Sequence, residues 1–141
     1  MNSEHLDEVI QLGLNTPEFH TGTTVPQFYS KLTLEKWVQS PHGVLLVAFI
    51  EDNFAGFSLT AYNPDSRDGY IHCVALKKEY QWKKLGSQML EYTLAELEKM
   101  GCNHVFGLVQ TNNQETLKFM RKHGFEVGEP FHYVQRTLPR I

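Results

Sequence analysis

Ile71-His72-Cys73-Val74-Ala75-Leu76 is followed by Gln81-Trp82-Lys83-Lys84-Leu85-Gly86-Ser87 and then by an apolar-striped run to Met100. The first segment is a strand, the second a tight loop, and the third a helix from Gly86 to Met100. Leu85, Met89, Leu90, Leu94 and Leu97 recur at helical spacing, and Gly101 stands where a left-handed C-terminal residue belongs. A helix N-terminus carries unpaired N–H groups and a partial positive charge, so it is a site for anions. A strand ending beside such a terminus points to a phosphate-bearing cofactor.

His104 to Gln110 reads as the next strand, which completes a βαβ unit and predicts that strands 70–76 and 104–110 run parallel. Before it, Val44–Ile50 and Ala55–Tyr62 flank the polar turn Glu51-Asp52-Asn53 and form an antiparallel hairpin. Further out, Ser3 caps a helix over 3–14 with Leu6, Val9, Ile10 and Leu14 on one face. A second helix is expected over 26–39, with Phe28, Leu32, Trp37 and Val38 as its apolar face. Asn112 or Asn113 caps a last helix to about Lys122, and Gly124 ends it. Phe125–Val127 and Phe131–Thr137 read as the final strands. The expected fold is α/β (α+β): a mixed, mostly antiparallel central sheet with one parallel βαβ pair and flanking helices, in a single domain over 1–141.

Composition narrows the function. A hydrophobic fraction of 41% with 21% charged residues fits an ordinary globular domain. A formal charge of -3, with thirteen Lys and Arg in no dense run, argues against nucleic acid as a partner. Cys73 and Cys102 show no metal-ligand spacing, the seven His form no HExxH pattern, and no metal is expected. No run approaches the roughly 18 apolar residues of a membrane span. The N-terminal residues do not resemble a signal peptide, so the cytoplasm is the expected location.

The loop is neither a Walker A sequence nor GxGxxG. Backbone N–H groups from Gln81 to Gly86 could still wrap a pyrophosphate, with Gly86 allowing close approach and Lys83 or Lys84 adding charge. Gln81-Trp82-Lys83-Lys84-Leu85-Gly86 resembles the Q/R-x-x-G-x-G/A loop of the GNAT superfamily, the acetyl-CoA-dependent N-acetyltransferases. Asn113, Thr116, Phe119, Met120, Lys122, Gly124 and Phe125 fall in register with that family's N-x-x-A-x-x-L-Y-x-K-x-G-F segment. Element order agrees from about Gly43 to Thr137.

The resemblance implies an N-acetyltransferase with acetyl-CoA as co-substrate, bound where strands 70–76 and 104–110 splay apart. Main-chain groups of Val74 and Leu76 would pair with the pantetheine arm. Loop residues Gln81, Trp82, Lys83, Lys84, Leu85, Gly86 and Ser87 would hold the pyrophosphate, Asn113 would contact the cofactor arm, and Phe119 would pack beside it. A primary amine of a small molecule or peptide would attack the thioester directly. Many members dimerise, so a homodimer is one expected state.

Three departures from the family stand out. Lys84 replaces the first loop glycine, Met120 stands where a tyrosine often protonates the leaving thiolate, and the usual first strand is missing or very short. Tyr133 on the last strand could replace the acid. Strand alternation puts Tyr70, His72, Val74 and Leu76 on one face and Ile71, Cys73 and Ala75 on the other. The resemblance turns the face bearing Tyr70 and His72 toward the acceptor. His72, with an ordinary pKa near 6.5, is the expected base; Glu79 is expected to face solvent. The departures at Lys84 and Met120 leave a non-catalytic acyl-CoA-binding module as the alternative.

Overall fold

The computed structural model describes residues 1–23, 28–81 and 84–139. By contact, the chain groups into two compact units, one ending at Leu108 and one beginning at Val109.

The first unit is built on a four-stranded sheet, ordered β1 (Gly43–Ile50), β2 (Asn53–Asn63), β3 (Asp68–Leu76), β4 (His104–Gly107). The first two pairings are antiparallel, and β3 with β4 is parallel, as the βαβ reading requires. Glu51 and Asp52 connect β1 to β2 with φ of 50° and 68°, the backbone of a two-residue hairpin turn that matches strand twist. Three α-helices accompany the sheet: α1 (Leu6–Leu14), α2 (Lys31–Val38) and α3 (Leu85–Met100).

Pairing and packing identify the two faces of the sheet. Leu45 on β1, Phe57 and Leu59 on β2, and Cys73 and Ala75 on β3 pack with Leu6 and Val9 of α1 and Leu34 of α2. On the other face Val44, Tyr62 and Val105 meet Leu97 of α3. Burial of these apolar side chains, at about 25 cal/mol per Å², is the main drive to this packing.

Several local expectations need correcting. Asn2, rather than Ser3, caps the first helical turn, a 3-10 turn over Ser3–His5. α1 buries Leu6, Val9 and Gly13 and leaves Leu14 exposed, and the Phe28 ring fills the space a side chain at position 13 would need. Ser30 caps α2 by accepting the Thr33 N–H, so Phe28 and Tyr29 precede the helix, and Leu34 rather than Leu32 is its buried residue. Residues 24–27 of the expected helix lie outside the described residues. β4 stops at Gly107, three residues short of Gln110.

The second unit holds α4 (Gln114–Lys122). Gly124, with φ of 87°, closes it: its N–H donates to Arg121 O and that of Phe125 to Met120 O. Residues 125–127 and 131–137 form no strand. Alternation proposes a strand, but a strand exists only as one side of a ladder, and these residues enter none among those described.

Candidate functional site

The β2–β3 ladder carries an irregularity that reorganises the site. Leu59 pairs with Cys73 and Thr60 with Ile71, so His72 is an extra residue on β3, a β-bulge. The bulge breaks the side-chain alternation. Gly69 and Ile71 pair with Tyr62 and Thr60 on the α3 face, while Tyr70, His72, Cys73 and Ala75 share the α1/α2 face. The expectation that Cys73 faces away from His72, and that Val74 and Leu76 accompany it, is therefore corrected. Cys73 is excluded as a nucleophile for another reason: it is buried, and burial pushes its thiol pKa far up, so it stays protonated. Both cysteines are free.

His72 sits among rings. Its Nδ1 is 2.9 Å from the Tyr29 hydroxyl just before α2. Its ring centroid is 4.8 Å from Trp37 and 4.3 Å from Tyr70, and Tyr70 stacks on Phe106 of β4 at 4.9 Å and 12°. Burial among these groups lowers the imidazole pKa below its ordinary 6.5, because charging it would cost solvation. A neutral imidazole at pH 7 can accept a proton. Sequence reading placed Trp37 on the apolar face of the second helix but missed Tyr29 and Phe106, which lie 43 positions before and 34 after His72 in the chain. Only the ring content of their segments could have pointed to them.

The opposite end of β3 meets the anion-site candidate. β4 accompanies β3 only from Asp68 to Ile71. Beyond this the Lys77 N–H donates to Ala55 O at 2.8 Å. Antiparallel alternation then points the main-chain groups of Ala75 and Cys73 toward β2, and those of Val74 and Leu76 away from it. Gln81 Nε2 donates to Leu76 O at 3.2 Å, tying the loop to the strand end, and the Gln81 N–H closes a 3-10 turn over Lys78–Tyr80.

α3 starts at Leu85, one residue earlier than expected, and its first turn contains Gly86 and Ser87. Lys84 precedes it with φ of 61° and ψ of 16°, the left-handed conformation that favours glycine. Lys84 thus holds a backbone conformation that glycine takes at least cost. Trp82 and Lys83 lie outside the described residues. Glu79 is exposed.

In the second unit, Asn113 caps α4 by accepting the Thr116 N–H at 3.1 Å, which leaves its carboxamide NH2 as a donor. The Phe119 ring lies 4.6 Å from that of His123. Met120 is inside α4, and Tyr133 lies in the strandless segment. Among the described residues no group of three or more His, Cys, Asp or Glu could hold a metal ion, and no helix is long and apolar enough to cross a membrane.

The sequence matches the acetyltransferase (GNAT) family over residues 13–125. Solved structures share the fold. PaiA N-acetyltransferase from Thermoplasma acidophilum, in complex with coenzyme A, is 22% identical, with a TM-score of 0.78 over 93% of this chain and 89% of that one. An aminoglycoside acetyltransferase from an uncultured soil metagenomic sample, in complex with trehalose, is 17% identical, with a TM-score of 0.76 over 99% and 93%. The aminoglycoside N-acetyltransferase AAC(6')-Iy, in complex with CoA, is 16% identical, with a TM-score of 0.74 over 98% and 97%. No curated protein matches the sequence.

Proposed function

The chain belongs to the acetyltransferase (GNAT) family, and from that premise we propose that it transfers the acetyl group of acetyl-CoA to a primary amine of a small-molecule or peptide acceptor. The observation that carries the reading is the end of the β3–β4 ladder at Ile71 and Gly107. Past that point β3 turns the main-chain groups of Val74 and Leu76 away from β2, and the strand leads to a helix N-terminus. A pantetheine arm needs such an amide edge, and a pyrophosphate such a terminus. Two of the similar structures were solved with coenzyme A, which supports the same cofactor here. The family match runs from the first unit into the second, which supports one acetyltransferase domain.

In this reading Val74 and Leu76 hold the pantetheine amides. N–H groups of the loop and first α3 turn, Trp82 to Ser87, hold the pyrophosphate, with Lys83 or Lys84 adding charge. Asn113 and Phe119 contact the cofactor arm. The amine nitrogen attacks the thioester carbonyl, a C–N bond forms, and the C–S bond breaks. His72 takes the amine proton at Nε2 while its Nδ1–H donates to Tyr29, and Tyr133 returns a proton to the coenzyme A thiolate. The αL backbone at Lys84 supports cofactor binding despite the missing glycine.

The test is thermal unfolding with and without about millimolar acetyl-CoA. A single site filled at 100 times its dissociation constant stabilises by about 2.7 kcal/mol. A clear upward shift, followed by amine-dependent thiol release that His72→Ala and Tyr133→Phe reduce, is expected. An absent shift refutes the reading; a shift without turnover of any amine leaves a binding module instead.

A further inference from the structure

The α1/α2 face of β3 carries a cluster of rings around His72, with Asp68 the strand's single carboxylate, on the Tyr70 side. Trp37 stands nearly perpendicular to His72 at 78°, and Tyr29 nearly perpendicular to Trp37 at 77° with centroids 5.6 Å apart. Tyr70 and Phe106 continue the surface as a parallel stack. Exposure rises along it, from half-buried Trp37, Tyr70 and His72 to Phe106 at 41%. A polar contact at its centre joins the Tyr29 phenol to the His72 imidazole.

Such a surface recognises a flat apolar body by stacking and edge-to-face contact, and a single ammonium by the ring faces. It gives little to a ligand with several ammonium groups, because each loses hydration and needs a carboxylate in return. A neutral His72 adds no positive charge to repel one amine.

We propose that the acceptor is an arylalkylamine, a monoamine on a planar apolar body, seated against Trp37, Tyr70 and Phe106 with its nitrogen at His72. This rests on the acetyl-transfer reading above.

The experiment compares initial rates of thiol release for phenethylamine and tryptamine with those for spermidine and kanamycin, after the acetyl-CoA thermal shift has been measured on the same protein. The arylalkylamines should show kcat/KM at least 10-fold above the polycations. Phe106→Ala, at an exposed position, should raise the phenethylamine KM at least fivefold and shrink that preference. Trp37→Phe should hold the fold and retain part of the preference. Equal or better use of spermidine or kanamycin would overturn the inference and leave the acetyltransferase reading intact. A thermal shift with no turnover of either arylalkylamine would also overturn it. Absence of both shift and thiol release would remove the acetyltransferase reading and this inference with it.

Discussion

The Tyr29 hydroxyl lies 2.9 Å from Nδ1 of His72, joining the segment before α2 to the bulge in β3. That contact engages Nδ1, leaves Nε2 outside it, and holds the ring edge-on to Trp37. It also marks the point where the first unit's helical layer and its sheet exchange a polar group.

The lowered His72 pKa sets a direction for pH dependence. At saturating amine, kcat should rise with pH through an acid limb whose midpoint lies below 6.5. His72→Gln should abolish that limb and reduce kcat about 10²- to 10⁴-fold, the usual worth of a general base. The stability linkage has the same sense. The unfolded imidazole binds its proton more readily than the folded one, so the His72 contribution is fully present above pH 6.5 and is lost as pH falls through the lower folded pKa. Chemical denaturation of wild type and His72→Gln across that range would show it, as would direct titration of the His72 ring resonances. Tyr29→Phe should cost about 1 kcal/mol of stability for the lost hydrogen bond.

Lys84 holds a left-handed backbone at a cost of roughly 1–2 kcal/mol relative to glycine. Glycine regains part of that as unfolded-state entropy. Lys84→Gly should therefore stabilise the protein by about 0.5 kcal/mol, whereas Lys84→Val, β-branched at positive φ, should destabilise it by more than about 1 kcal/mol. If only the backbone at Lys84 serves the cofactor, Lys84→Gly will keep the wild-type acetyl-CoA shift; loss of the shift would assign the role to its ammonium group.

Gly56 on β2 faces Leu76 across the ladder, and a Cβ there would run into the Ala75 carbonyl oxygen and the Leu76 side chain. The neighbour is backbone, so it cannot swing aside. Gly56→Ala should destabilise the protein by about 3 kcal/mol, in the range of severe packing errors. Because the displaced residues border the proposed pantetheine edge, the acetyl-CoA shift should fall even at temperatures where the variant is folded. A wild-type melting curve for Gly56→Ala would contradict the tight β2–β3 approach.

Thr60, opposite Ile71 beside the bulge, is fully buried, and its Oγ1 has no hydrogen-bond partner among the described residues. An unpaired buried hydroxyl costs roughly 1–3 kcal/mol. Replacing it with the isosteric Thr60→Val should raise stability by about 1 kcal/mol, measured as a higher denaturant midpoint at unchanged slope.

Local chemistry made much of this protein legible in one dimension. The hairpin was readable because two apolar runs flank a short polar turn, and α3 because its leucines recur at helical spacing before Gly101. The βαβ unit followed from strand, helix and strand in series, since a parallel pair requires a crossover. The α4 end was readable too, because Gly124 alone can take its positive φ cheaply. Each of these signals lies within one contiguous stretch of chain.

What the tertiary structure decided depends on residues far apart in sequence. The bulge at His72 exists only in the pairing of β2 with β3, and no alternation pattern within 70–76 announces it; it moved His72 to the same face as Cys73. The Phe28 ring, from a separate segment, fills the space beside Gly13 and leaves no room there for a side chain. Residues 125–137 alternate like strands but form none, because a ladder needs a partner that local sequence cannot supply. The ring surface of Tyr29, Trp37, Tyr70 and Phe106 likewise arises from three separate segments folded together. Sequence therefore carried the elements and the family, whose signals are local, while the environment of His72 came from long-range pairing and burial, which only the folded chain creates.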